Sequence, residues 1–256
     1  MLKPRVRQLF KYRAFNDYSL QALRDNAIWA SDPAKFNDPF EYSYHLEPDL
    51  TFKVARLLNK KINTKRKHER IQRYFIKEGK AFIASCGGLY SLCEDNKISL
   101  MWSHYADSHK GFCVGYARRT DNILGTPSCL PVIYGVFPTV KVTDILKANL
   151  MSQQFAGSPR LKAFLNDSFF MPLIFEKMVL SKDANWSYEK EWRLMFVQRD
   201  QLVKIDAPIC SITFGLRMPA EQKDQIRAIL KKQPAVRYYQ AYKPRKGYNV
   251  GVRRVA

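Results

Sequence analysis

The segment that most constrains the fold is residues 188–197, YEKEWRLMFV. Side chains along an extended strand alternate between two faces. Trp192, Leu194 and Phe196 therefore form an apolar face suited to a core. Glu189, Glu191 and Arg193 share the other face, with Tyr188 beside them. Two carboxylates side by side raise each other's pKa and can hold a nucleophile or an oxocarbenium-like centre. The plainer alternative is a solvated strand face carrying a Glu–Arg pair.

The remaining segments mix both periods. Leu9 to Phe15 reads as an opening strand, with Leu9, Lys11 and Arg13 on one side and Phe10 and Tyr12 on the other. Asn16 or Asp17 can cap a short helix carrying Leu20 and Leu23, and Ala27–Ala30 returns as a strand. The stretch SDPAKFNDPFEY is a turn-rich loop whose Pro39 forces Asp38 out of the helical region. Residues 50–79 carry apolar positions at helical spacing, interrupted by the basic run NKKINTKRKHER. AFIASC, FCVGYAR, PVIYGVF, CSITFGLRM, RYYQAYK and NVGVRRV read as strands. ISLMWSHYADSHKG, residues 141–180 and PAEQKDQIRAILKK read as mainly helical. No regular βαβ repeat appears, so the expected class is α+β with a mainly antiparallel sheet and flanking helices. The expected organisation is a single domain over 1–256, with a basic helical insert at about 50–80 and a basic C-terminal segment at about 226–256.

Charge narrows the partners. The 43 Lys and Arg outnumber 23 Asp and Glu, leaving a formal charge of +20. The excess sits in blocks at the N-terminus, over 51–80, and after Asp224, beyond which no acid occurs. Basic residues interleaved with Tyr74, Phe75, Tyr238, Tyr239, Tyr242 and Tyr248 offer charge for phosphates and faces for bases. Lys60, Lys61, Lys65, Arg66, Lys67, Arg70 and Arg73 are the candidate nucleic-acid-binding residues of the insert. An acidic partner protein, such as an antitoxin, is the competing explanation of the charge. No apolar run is long enough to span a membrane, and the basic start lacks the apolar core of a signal peptide, so a cytoplasmic protein is expected.

Standard catalytic motifs are missing: no Walker loop, GxGxxG, HExxH or GxSxG occurs. MWSHYADSHKG supplies His104, Tyr105 and His109, and Cys113 follows, but the spacing matches no compact zinc site and no metal is expected. His104 reads as a hydrogen-bonded structural residue, and Tyr105 as a ring available for stacking.

The ordered set LFKYRAF, IWASDPAKFNDPFE, SLMWSHYADSHKGFCVGY, VIYG, LSKDANWSYEKEWRL and ITFGLRM resembles a bacterial family of unknown function, some of whose members are described as abortive-infection proteins. The likeness runs from about residue 8 to about residue 232. GGLYSLCEDN departs from that pattern, as do the very basic insert and tail. The arrangement also resembles ADP-ribosyltransferases, which place a basic residue on the opening strand, an aromatic mid-chain and a Glu on a late strand; it implies a split, mainly antiparallel sheet in a single ADP-ribosyltransferase-like domain over 1–256. That resemblance implies NAD as co-substrate, with Arg13 orienting it, Tyr105 stacking on nicotinamide, and Glu191 as the catalytic carboxylate. Glu189 would act on the acceptor, and Asn37 and Asp38 would lie in the donor loop. Tyr12, Tyr42 and His104 are alternatives for the aromatic position. A fixed carboxylate beside a developing oxocarbenium ion is electrostatic transition-state stabilisation.

Three functions remain open at this point. The first is an NAD-dependent ADP-ribosyltransferase-like toxin or phage-defence effector modifying nucleic acid, RNA before DNA. The second is a non-catalytic nucleic-acid-binding defence module. The third is a nuclease, with Asp38, Glu41, Glu189 and Glu191 around magnesium.

Overall fold

The structure, a computed structural model, describes residues 6–36, 38, 40–41, 43–47, 53, 69, 73, 87–141, 143–144, 177–233 and 235–255. In order, the strands are β1 (Gln8–Arg13), β2 (Ala27–Ala30), β3 (His45–Leu46), β4 (Leu89–Cys93), β5 (Phe112–Ala117), β6 (Cys129–Pro131) and β7 (Ile133–Tyr134). They continue as β8 (Thr139–Val140), β9 (Ser181–Lys182), β10 (Glu191–Met195), β11 (Gln201–Lys204), β12 (Ile209–Phe214), β13 (Arg237–Tyr242) and β14 (Gly251–Val255). The named helices are α1 (Asp17–Arg24), α2 (Ser99–Tyr105) and α3 (Ala220–Ile229).

The chain divides into two compact units. One contains Met1–Asp32, Gly87–Val132 and Asn185–Ala256; the other contains Pro33–Cys86 and Ile133–Ala184. The second unit pairs β3 with β8 and β7 with β9, both parallel. It also holds the Lys182–Glu41 ion pair at 3.4 Å. The expected basic insert falls within this unit, and most of it lies outside the described residues. The expected strand AFIASC also lies outside them, as does nearly all of the helical stretch 141–180.

The first unit is built on an eight-stranded sheet in the order β14-β13-β12-β5-β1-β4-β10-β6. Every neighbouring pair in it is antiparallel except β12 with β13. That exception follows from α3, since parallel neighbours need a crossover and a helix usually supplies it. The class is therefore α+β with a mainly antiparallel sheet.

Alternation assigns the two sheet faces. Leu9, Tyr90, Leu92, Phe112, Val114, Trp192, Leu194, Ile212 and Phe214 point to one face and form the larger core with Leu20 and Leu23 of α1 and Ile226 of α3. Asn16 starts α1 by accepting from the Ser19 N–H at 2.9 Å. On the other face Tyr12, Cys93 and Cys113 form a smaller core with Met101 and Trp102 of α2. The Tyr12 ring meets Trp102 edge-on at 5.1 Å, and its hydroxyl donates to the Asp95 carbonyl at 2.7 Å.

Some boundaries differ from those expected. LYSLC, which the sequence reading left unassigned, forms β4, paired between β1 and β10 inside the sheet. The extended reading of 188–197 holds only from Glu191 onward. Residues Ala184–Glu189 form a 3-10 turn, and Lys190 adopts a left-handed φ of 45° before β10 begins. After α2, Asp107, Ser108 and His109 are all left-handed. Their N–H groups and those that follow close the turn: Ser108 donates to the Ser103 carbonyl, His109 to Trp102, and Gly111 to Ala106.

Candidate functional site

Three backbone features bring the acidic side chains together. The register sets Glu191 opposite Cys93 and Arg193 opposite Ser91, so both point toward the smaller core. The 3-10 turn and the left-handed Lys190 deliver Glu189 to the end of α2, where Tyr105 donates to its Oε1 at 2.7 Å. Arg193 grips Glu191 with two hydrogen bonds, Nε to Oε1 at 3.0 Å and Nη2 to Oε2 at 3.1 Å. With exposures of 0% for Arg193 and 4% for Glu191, this pair is closed to solvent. Burial, the hydrogen bond from Tyr105 to Glu189, and the charges of Glu189, Tyr188 and Glu191 push the Tyr105 phenol above its ordinary pKa. Tyr12 stands on the same face, and burial raises its phenol as well.

Residues 101–194 match the model of a family described as a protein of unknown function, DUF2971. No curated protein and no solved structure gives a significant match. The DUF2971 match covers less than half of the chain. It runs from α2 to β10 and so contains Tyr105, Glu189, Glu191 and Arg193. It omits Arg13 and everything after Leu194.

Outside the DUF2971 segment, Arg13 does not join the carboxylates. It lies opposite Phe112 in the β1–β5 ladder, on the larger-core face, whereas Glu191 shares the face of Cys93. Its guanidinium donates to the Tyr90 hydroxyl at 2.9 Å and also hydrogen-bonds Tyr116, while its buried Nε has no partner. Within the segment, His104 is exposed, with its ring 6.2 Å from Tyr105. His109 sits 3.2 Å from the Ser103 hydroxyl and parallel to Trp102.

The other expected site residues divide between the two units. Asp38 accepts from the Phe40 N–H at 2.9 Å, which closes a local turn. Asn37 and Tyr42 lie outside the described residues, as do Lys60, Lys61, Lys65, Arg66, Lys67 and Arg70. Arg73 is exposed, and its Nε donates to the Glu69 carbonyl. Among the described residues, no group of three or more His, Cys, Asp or Glu side chains is placed to hold a metal ion.

The C-terminal segment, β13, β14 and the residues flanking and joining them, carries a second cluster. Lys231, Lys232, Arg237, Lys243, Arg245, Lys246, Arg253 and Arg254 are all exposed, and none forms an ion pair among the described residues. Tyr239 lies opposite Arg254 and beside Thr213; Thr213 lies opposite Cys113, and Cys113 opposite Tyr12. This chain of pairs puts Tyr239 and Arg254 on the same sheet face as Glu191. Five strand spacings, about 24 Å, separate β13 from β10.

The alternation in YEKEWRLMFV marks the Glu191–Arg193 face. The roles of Tyr90 and Tyr116 under Arg13 were not foreseen. Their signal was alternation in LYSLC and FCVGYA, each with a tyrosine on its apolar face.

Proposed function

We propose that the protein is a nucleic-acid-binding domain, RNA before DNA, that takes its polyanion on the ribbon formed by β13 and β14. The observation that carries this reading is the set of eight exposed cations from Lys231 to Arg254, with no acidic residue after Asp224 to neutralise them. Uncompensated charge of this kind attracts a phosphate backbone and releases its counterions. Tyr239, Tyr242 and Tyr248 lie among these cations, and Tyr248 is 98% exposed. The setting we propose is a cytoplasmic phage-defence or toxin module. An acidic antitoxin would compete for the same charges.

Fluorescence anisotropy with a labelled single-stranded RNA tests the reading. Binding should weaken steeply with salt, and reversing Lys243, Arg245 and Lys246 to Glu should abolish it. Absence of binding at 50 mM salt would overturn the proposal.

A second reading is favoured by Tyr105, Glu189 and Glu191 meeting on the face that also carries Tyr239 and Arg254. In it, the carboxylates serve NAD-dependent ADP-ribosyl transfer to the bound nucleic acid. The bond between nicotinamide and its ribose breaks, and an acceptor atom takes the ribose. Glu189 would stabilise the ribosyl cation, while Glu191, closed off in its pair with Arg193, would act as a positioning residue. Arg13 has no part in this version. Incubation with labelled NAD and total RNA should label the RNA, and Glu189→Gln should abolish the label without lowering Tm by more than a few degrees. Unlabelled RNA with the parent protein would dismiss it.

A further inference from the structure

A concave feature lies on the ribbon. Val236, Arg237, Tyr238, Arg254 and Val255 line an open groove of about 520 Å³ where β13 begins and β14 ends. Arg254 lies directly opposite Tyr239, and Arg237 is two residues earlier on β13. By alternation, Arg237, Tyr239 and Arg254 therefore project from one face as a guanidinium–phenol–guanidinium row. Both arginines are exposed, and neither has a carboxylate partner among the described residues. Two like charges on adjacent strands repel, and an anion between them relieves that repulsion. Each guanidinium fork can donate two parallel hydrogen bonds to phosphate oxygens.

The other groove wall is rigid. Tyr238 stacks on Phe214 at 5.9 Å with an interplanar angle of 10°, and the Arg227 guanidinium lies 5.5 Å from its ring. At the far end of the ribbon the Tyr242 ring lies across Gly251, where an added Cβ would come within 2.4 Å of it. Gly251 thereby lets β14 lie close under that ring. The groove is thus set in a braced sheet edge.

We propose that this groove and the sheet face beside it seat single-stranded nucleic acid, with one backbone phosphate held between Arg237 and Arg254 and the adjoining base stacked on Tyr239, which stands next to the groove opposite Arg254. The proposal rests on the nucleic-acid reading above and adds the strandedness and the contact residues. A duplex keeps its base faces stacked on one another, so the Tyr239 ring has nothing to receive from it. Unpaired bases present their faces freely.

The test compares a labelled 12-mer oligouridylate with a hairpin duplex of equal charge, each titrated over a salt series. The parent protein should bind the single strand at least tenfold more tightly. Arg237→Ala and Arg254→Ala should each cost about tenfold and lower the salt slope by about 0.7. The double substitution Arg237→Lys and Arg254→Lys keeps the charge but loses the forks, and should weaken single-strand binding severalfold. Tyr239→Ala should weaken it as well, while Tyr239→Phe should retain it. Substituting Lys243, Arg245 and Lys246 by Ala should weaken both ligands alike. Equal affinity for duplex and single strand would overturn the groove, as would double-Lys binding equal to the parent. Failure of the parent protein to bind either RNA would instead overturn the nucleic-acid reading itself.

Discussion

Arg193 and Glu191 form a two-bonded ion pair that is sealed from solvent between the sheet and its smaller core. Removing one partner strands a charge, because desolvation has already been paid for both. Arg193→Met should therefore destabilise the protein by about 3–5 kcal/mol, and Glu191→Gln by a comparable amount. Replacing both with apolar residues of similar volume should cost less than the sum. Urea unfolding of the four-member cycle measures the coupling. The same cost makes Glu191→Gln a poor catalytic probe on its own, since lost activity would also reflect lost folding.

Tyr105 and Glu189 make a more selective probe. Tyr105→Phe keeps the ring and removes only the donor held 2.7 Å from the carboxylate. A loss of about 1–3 kcal/mol is expected, the usual cost of weakening a buried acceptor's solvation. Thermal unfolding at pH 7 tests it, and a Tm equal to the parent's would contradict it.

His109 should make stability depend on pH. Burial and the nearby Arg217 charge hold its imidazole below the ordinary value of 6.5. The unfolded chain then binds the proton more readily than the folded one. The contribution is complete above pH 6.5 and is lost as pH falls through the lower folded value. Denaturation midpoints should drop from pH 7 to pH 5, and His109→Gln should flatten that part of the profile.

The left-handed run Asp107–Ser108–His109 stores strain, because a Cβ is unfavourable in that region. Ser108 is exposed with a φ of 50°. Ser108→Gly should stabilise the fold by about 1 kcal/mol, since glycine takes this conformation freely. A differential Tm measurement would show it.

Burial drives the thiols of Cys93 and Cys129 up to about 12. Both should resist iodoacetamide at pH 8 until the protein opens, because the thiolate is the reacting form. Peptide mass spectrometry, cysteine by cysteine, should show their labelling rising together with urea.

The strands legible in the sequence are those rich in β-branched and aromatic residues between turn signals: β1, β5, β10 and β12 each lie within a segment expected to be extended. Burial along β5, β10 and β12 is nearly continuous rather than alternating, because both faces of the sheet carry a core. β4 was not assigned from the sequence; in the structure Gly88, just before it, is tied to Gln198 by a 2.7 Å backbone bond. At the candidate site, alternation correctly separated Arg13 from Tyr12 along β1. It could not say which side of β1 would join the Glu191 side of β10, because that depends on the intervening strand and its register. Glu189 reached Tyr105 by a 3-10 turn that its spacing from Glu191 does not encode.

The ribbon of β13 and β14 also acts as a cover. Beneath it, β12 carries Ile209, Ile212 and Phe214, all buried, and it meets the remainder of the sheet only through β5. Truncating the chain before Arg237 would bare the edge of this apolar strand from Ser211 to Phe214 and invite edge-to-edge pairing between molecules. Shortened chains should therefore precipitate, whatever their affinity for a ligand, so point substitutions are the sound way to dissect the charged strands.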